Sequence, residues 1–299
     1  MELRKNLVLS DGQLQNELER CEYCQEQPCR NGSVEKGASR NGCPADVSPP
    51  DFIMAARVGR PSDIRRAAAL ILSANPFGGV CGMVCPDRHC MSACTRKNPD
   101  FPIQIPALQA TIIHKARALK VLPAFASPRP NGKKAAVIGA GPAGLAAAAA
   151  LSGKGYQVDI FEKRGEAGGT ARCIPPYRLR RDMLAADIKL CLSLGRIKLH
   201  LKKGVKDPAA LLRQGYSAVV AAGGLWEPIK LGIKNEDLAI AALDYLSRPE
   251  KFKLRGRVAV IGGGATAADC AVTAARSGAA FVEMFALENA GEMPLTSQE

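Results

Sequence analysis

The hydrophobic pattern changes character near residue 130. Before it, apolar positions recur at helical spacing; after it, short apolar runs alternate with alanine-rich segments bounded by glycine. In the first part, Pro49-Pro50-Asp51 opens an amphipathic turn with Phe52, Ile53 and Ala56 on one face. Ser62 is placed to cap a second helix carrying Ile64, Ala67, Ala68 and Ile71. Pro106 stands in the first turn of a third helix, which runs through Ile112, Ile113 and Ala116. Ser127-Pro128-Arg129-Pro130-Asn131-Gly132 is a polar, Pro/Gly-rich linker and the expected domain boundary.

Beyond the linker, Ala135 to Ile138 reads as a buried strand, 142–153 as a helix and Val158 to Phe161 as a second strand, the start of a βαβ unit. Ile197, Leu199 and Leu201 alternate with Lys198, His200 and Lys202, as in a half-exposed strand. Ala218 to Ala222 is a further buried strand, closed by Gly223-Gly224. Val258 to Ile261, a helix over 264–277 and a strand over 281–285 form another βαβ unit. Its loop nearly repeats the first, AVIGGGATAADCAVT against AVIGAGPAGLAAAAA. The expected fold class is α + α/β. A helical domain spans 1–126, a Rossmann-like domain 133–254, and the start of a second Rossmann-like unit 255–299.

Composition narrows the classes. Hydrophobic residues make up 47% of the 299, but aromatics only 5%, so the cores must be built mainly from Ala, Val, Leu and Ile. The N-terminal residues alternate charged and apolar positions, unlike a signal peptide or a membrane span. The most apolar stretch, Leu145 to Leu151, is short enough to be a buried helix. A cytoplasmic protein without a membrane span is expected. The formal charge of +13 fits a solvated basic surface, an acidic partner or nucleotide phosphates. No basic run is interleaved with stacking aromatics, which argues against nucleic acid.

Eight of the 11 cysteines fall in two blocks. The first is Cys21-x2-Cys24-x4-Cys29, then Cys43; the second is Cys81-x3-Cys85-x4-Cys90-x3-Cys94. Clustering of this kind suggests metal ligation in a reducing compartment rather than a disulfide scaffold. Iron–sulfur clusters need soft anionic ligands converging on one point. Cys-Pro occurs in both blocks, at Cys43-Pro44 and Cys85-Pro86, where proline turns the chain away. Zinc is the rival, yet zinc sites usually pair two CxxC knuckles and only Cys21/Cys24 has that form. On residues alone, Cys81 is the natural eighth ligand. Cys191 and Cys270 sit in apolar helical patterns and read as packing; Cys173 follows Gly168-Gly169, within reach of a flavin; His89 reads as solvent-facing.

Gly139-x-Gly141-x-x-Gly144, with Pro142 and Ala143 inside it, follows a strand and opens a helix, the context of a dinucleotide loop. Gly139 allows the tight turn, Gly141 lets the backbone approach pyrophosphate, and Gly144 permits close helix–strand packing. Glu162 ends the next strand at the usual place for an acid on ribose hydroxyls, with Lys163 beside it. Gly168, Gly169 and Gly223 complete the expected contacts of this site. The second loop is Gly262-Gly263-Gly264-Ala265-Thr266, and the following strand leads to Leu287-Glu288. An acid there repels a 2′-phosphate, so NAD(H) is expected over NADP(H).

Together CEYC…GCP, NPFGGVCGMVCPDRHCMSAC, VIGAGPAGLAAA, EAGGTARCIPPYRL, AVVAAGG, VIGGGATAADCA and EMPL resemble the family of the glutamate synthase small subunit. The same module forms the N-terminal half of dihydropyrimidine dehydrogenase. The resemblance runs from about Cys21 to the last residue. It implies a helical domain with two [4Fe–4S] clusters, an FAD domain and an interrupting NAD(P)H domain. By residue it implies Cys21, Cys24, Cys29 and Cys94 on one cluster and Cys43, Cys85 and Cys90 on the other. A glutamine matching Gln109 would then be the eighth ligand, in place of Cys81. The sequence departs from the family in the 13 residues between Cys29 and Cys43 and in lacking paired arginines near Leu287 and Glu288. Relatives also continue past the position of Glu299, to finish the nicotinamide domain and return to the FAD domain.

The expected function is therefore an electron-transfer subunit linking NAD(P)H, FAD and two [4Fe–4S] clusters to a partner. That partner would be a larger catalytic redox subunit or a ferredoxin-like carrier. No side-chain acid, base or nucleophile is called for, because the cofactors carry the chemistry. The alternatives are a non-catalytic iron–sulfur adaptor, whose flavin and nicotinamide sites another chain completes, and a zinc-stabilised binding module.

Overall fold

A computed structural model describes residues 8–32, 42–86, 89–125, 128–289 and 291–295. Residues 1–7, on which part of the leader reading rests, and Ser127 of the linker lie outside them. The fold is α + α/β, with helices α1 (Asp11–Glu19), α2 (Pro28–Asn31), α3 (Pro49–Ala56), α4 (Pro61–Ala74), α5 (Gly78–Val84) and α6 (Ile105–Ala118) in front of all the strands. Ser10 starts α1 with reciprocal bonds, its hydroxyl accepting from the Gln13 N–H at 3.3 Å and the Gln13 side chain accepting from the Ser10 N–H at 3.0 Å. The start of α4 corrects the sequence reading. Its cap is Arg60, not Ser62, because Pro61 takes the first helical position and Asp63 accepts the Arg60 N–H at 3.2 Å. Ser62 is an exposed residue inside that first turn.

Helix α6 is buried at every position from Ile105 to Ile113, with α1, α3, α4 and α5 packed against it. Helix α5 reaches it through bare backbone: a Cβ on Gly82 would lie 2.5 Å from the Ala110 nitrogen. Gly82→Ala should therefore force the helices apart and cost about 1–3 kcal/mol, read as a lower urea midpoint at unchanged slope. An unchanged midpoint would show that the approach is not that tight.

The next unit contains β1 (Lys134–Ile138), α7 (Pro142–Gly153), β2 (Gln157–Phe161), α8 (Arg181–Ser193), β3 (Ile197–His200), α9 (Pro208–Arg213) and β4 (Ala218–Ala221). The four strands are parallel in the order β3-β2-β1-β4, with Ile138 opposite both Phe161 and Ala221. The alternation that suggested a strand through Leu201 stops at His200, because Lys202 takes a left-handed φ of 56° and turns the chain. On the sheet, buried Asp159 is satisfied by His200 Nε2 at 2.6 Å and by the Tyr216 hydroxyl at 3.1 Å. One apolar core runs without a break from Leu14 in α1 to Ile188 and Cys191 in α8. Helix α8 makes that continuity by packing against both α5 and α7.

The last unit consists of α10 (Ala242–Ser247), β5 (Arg257–Ile261), α11 (Ala265–Arg276) and β6 (Phe281–Phe285). Its two strands are parallel, and α11 packs on both. The strand positions turned away from the buried ones include Ile261, Phe281 and Phe285, each about half exposed at 54%, 50% and 54%. A small separate core joins Tyr245, Leu246, Cys270 and Ala274 to Cys173 of the preceding unit. Arg178 and buried Asp269 add an ion pair of 2.7 Å between the same two units. No single helix among the described residues is long and apolar enough to cross a membrane; α4 and α5 pass such a test only when joined across an 88° bend.

Candidate cofactor sites

The fold sorts the two cysteine blocks into two neighbouring groups. Cys21, Cys24, Cys29 and Cys94 line one cavity, walled mostly by Ile53, Ile103, Ile105 and prolines. Cys24 Sγ lies 3.0 Å from Thr95 Oγ1, and Arg57 bonds the Cys21 carbonyl at 3.1 Å. Burial pushes Cys29 up to about 12, with Cys94, Cys21 and Cys24 adding to the push. The second group gathers around α5. Cys81 lies within that helix, and Cys85 ends it, its N–H bonding the Cys81 carbonyl at 2.8 Å. Burial pushes Cys85 up to about 12, and Cys81 and Cys43 push further. Cys90 is raised by burial first, and then by Cys85, Cys43 and Cys29.

Thiols gathered in this way suit a thiophilic cation, which takes them as thiolates. No three His, Cys, Asp or Glu side chains among the described residues converge tightly enough for a single ion. A cluster spreads its thiolates more widely than one ion does, so four thiols around one apolar cavity fit a thiolate-bound cluster. Gln109 is buried against the first turn of α5, and its Nε2 donates to the Gly78 carbonyl at 2.7 Å. Both candidates for the eighth ligand, Cys81 and Gln109, thus meet the same turn. His89 is half-exposed. Cys191 and Cys270 are buried in packing, and Cys173 lies against the Leu243 carbonyl at 4.0 Å.

The first glycine loop divides its labour. Gly139 has φ 103° and a Cβ there would lie 2.2 Å from the Ala222 oxygen; at Gly144 it would lie 1.9 Å from the Gly139 oxygen. These two glycines are filled by the protein itself. A Cβ on Gly141 would meet only Gly169, at 3.7 Å, so the mouth of the loop stays open beneath the start of α7, where Pro142 and Ala143 sit. Glu162 is buried, its Oε2 accepting from the Ala140 N–H and its Oε1 from the Arg164 N–H, each at 2.8 Å. Gly168 closes the far side by donating to the Ala140 carbonyl at 2.7 Å. Lys163 is exposed, Gly223 lies just past β4 with open space at its Cα, and the Arg164 guanidinium stacks 3.5 Å over Trp226. An open backbone mouth, a helix N-terminus and a buried acid fit a dinucleotide such as FAD.

The second loop copies this arrangement. Gly264 has open space where a Cβ would go, ahead of Ala265 and the exposed Thr266. A Cβ on Gly263 would lie 2.8 Å from Glu288 Oε2, so Glu288 stands over the second loop residue as Glu162 stands over Ala140. Leu287 is fully exposed.

Comparison with known proteins agrees with both halves. Residues 4–121 match the family described as dihydropyrimidine dehydrogenase domain II, 4Fe-4S cluster, and residues 133–291 match pyridine nucleotide-disulphide oxidoreductase. The chain belongs to the pyridine nucleotide-disulphide oxidoreductase family. It is 36% identical to the NADP(+)-dependent formate dehydrogenase subunit beta of Moorella thermoacetica, over 86% of this chain and 40% of that protein. It is 31% identical to the glutamate synthase [NADPH] small chain of Escherichia coli strain K12, over 97% and 63%. With the NAD-dependent dihydropyrimidine dehydrogenase subunit PreT of the same organism it shares 32% identity, over 95% and 67%. The chain thus spans between 40% and 67% of the length of these relatives. Their names divide between NADP and NAD, so family membership leaves the nucleotide of this chain to its own residues.

Sequence reasoning missed the buried Arg117–Asp187 pair. Asp187 falls in the apolar stripe of α8, four residues after Met183 and four before Cys191. An acid at a core position was the available signal.

Proposed function

We propose that the chain is an electron-transfer subunit that oxidises NADH and feeds a partner redox protein one electron at a time. The observation that carries this reading is the continuous core that takes in six of the eight block cysteines, Cys21, Cys29, Cys43, Cys81, Cys90 and Cys94, together with Ala140 of the dinucleotide loop. Bound FAD would supply the change from paired to single electrons, and two [4Fe–4S] clusters the onward path. In this reading residues 1–126 form the cluster domain, 133–254 the flavin domain and 255–299 the nicotinamide unit. Cys21, Cys24, Cys29 and Cys94 hold one cluster, and Cys43, Cys85 and Cys90 hold the other with Gln109 or Cys81. A Cys81→Ser variant that keeps both clusters would assign Gln109. The open Gly141 backbone and the α7 N-terminus receive the flavin pyrophosphate, and Glu162 receives ribose hydroxyls. Glu288 does the same for the nicotinamide nucleotide, and its charge disfavours a 2′-phosphate. NADH should therefore reduce the protein at least tenfold more efficiently than NADPH, about 1.4 kcal/mol; equal efficiency would remove Glu288 from that role.

The partner is a larger catalytic redox subunit or a ferredoxin-like carrier, and the unpaired thiols suit a reducing cytoplasm. A second reading, a cluster-bearing adaptor whose flavin and nicotinamide sites another chain completes, is favoured by the half-open face of the two-stranded β5–β6 sheet. Iron, sulfide and flavin content of anaerobically purified protein, with its visible spectrum before and after NADH, separates the two. About eight irons and a flavin that bleaches support the first; the same iron without flavin supports the adaptor. Zinc in place of iron and sulfide would overturn both.

A further inference from the structure

Three elements meet at the seam between the cysteine-bearing helices and the flavin unit. Asp187 of α8 is completely buried. Its Oδ2 accepts the Val80 N–H of α5 at 2.7 Å, and its Oδ1 pairs with the Arg117 guanidinium from the last turn of α6. Arg117 also reaches Met183 Sδ at 2.7 Å, while its buried Nε finds no partner among the described residues. A Cβ on Gly79 would lie 2.6 Å from Met183 Sδ and 2.9 Å from Asp187 Oδ1, so α5 rests on α8 through bare backbone. The residue after Val80 is Cys81, and one turn on is Cys85.

Stability alone is a poor reason for this pair. Taking two charges out of water costs about what their attraction returns, and apolar residues of similar size hold such seams as well or better. We propose that Asp187 and Arg117 are positioning residues for electron transfer: Asp187 holds the first turn of α5 from the flavin side, and the two opposite charges set the potential of the cluster bound at Cys43, Cys85 and Cys90. This inference rests on the cluster reading above. The buried carboxylate disfavours an added electron, and the partly buried guanidinium favours it.

The test is an EPR-monitored redox titration of the anaerobically purified, cluster-loaded protein. Asp187→Asn should make the cluster near α5 easier to reduce by about tenfold, or about 59 mV for one electron. Arg117→Gln should move it the opposite way by a similar factor, and Arg117→Lys should leave it in place. The cluster at Cys21, Cys24, Cys29 and Cys94 should move less, being outside this seam. A purely structural pair predicts lower stability without shifts of opposite sign, so shifts of one sign, or none, overturn the proposal. Where only one of the two variants loads clusters, a shift of the sign given for it supports the proposal, and no shift or the reverse sign overturns it. If neither loads, amide exchange in the cluster-free chain decides: residues 80–85 must exchange faster in Asp187→Leu, which removes the acceptor of the Val80 N–H, than in the unsubstituted chain, and equal exchange overturns the positioning role. Unsubstituted protein that takes up no iron would sink the cluster reading, while the exchange experiment would still judge Asp187.

Discussion

Gly139→Val is expected to leave the flavin unit unfolded. The position has φ 103°, a region that β-branched residues essentially never occupy, and a Cβ would lie 2.2 Å from the Ala222 oxygen. Backbone strain of about 1–3 kcal/mol adds to overpacking of about 1–3 kcal/mol. The contact cannot relax cheaply. Gly139 donates to the Phe161 carbonyl at 2.8 Å and Ala222 donates to the Ile138 carbonyl at 2.8 Å, so moving either chain breaks the parallel ladder of β1. Domains are stable by only about 5–15 kcal/mol in total. Purified Gly139→Val should bind no flavin, and proteolysis should attack residues 133–224 first, with the helices packed around α6 surviving longer. Gly141→Ala is the control, because a Cβ there has 3.7 Å of room. It should fold normally and lose only dinucleotide binding. A Gly139→Val protein with native unfolding behaviour would show that the loop tolerates a side chain.

The second large effect is expected at Arg178. Its partner Asp269 is 6% exposed, so Arg178→Ala takes a guanidinium at 2.7 Å away from a buried carboxylate. Breaking one side of such a pair costs about 3–5 kcal/mol. The loss falls on a weak joint, because the small core around Tyr245, Leu246, Cys270 and Ala274 is the other main tie to the flavin unit. Tyr177 adds a long bond of 3.4 Å from its hydroxyl to the Asp269 carbonyl and a ring that lies 4.1 Å under the Arg276 guanidinium. Arg178→Ala should therefore release the 242–289 region before the rest unfolds, seen as an early step in urea and early cleavage between residues 223 and 256. Arg178→Met with Asp269→Leu removes both charges and should recover most of the loss. Single and double variants of equal stability would mean that the pair does not hold the joint.

Much of the fold was legible because its signals are local. The strands at 135–138 and 158–161, the helix over 142–153 and the second βαβ unit follow from periodicity and from glycines whose neighbours in sequence are their neighbours in space. The misreadings were local choices settled by finer competition. Pro61 moved the α4 cap from Ser62 to Arg60, and a left-handed Lys202 ended β3 before Leu201.

The sequence by itself determined the α + α/β class, the two dinucleotide loops and the two blocks of thiols, because helix and strand periods, glycine turns and cysteine spacing act over a few residues. Only the tertiary structure decided that Cys21, Cys24, Cys29 and Cys94, grouped by the family resemblance, line one cavity, that Glu288 overhangs Gly263, and that Asp187 reaches Val80 across the seam. Those contacts join residues tens to more than a hundred positions apart. They exist because burying α5, α6 and α8 in one core, and closing each strand–loop–helix turn, leaves these side chains nowhere else to meet.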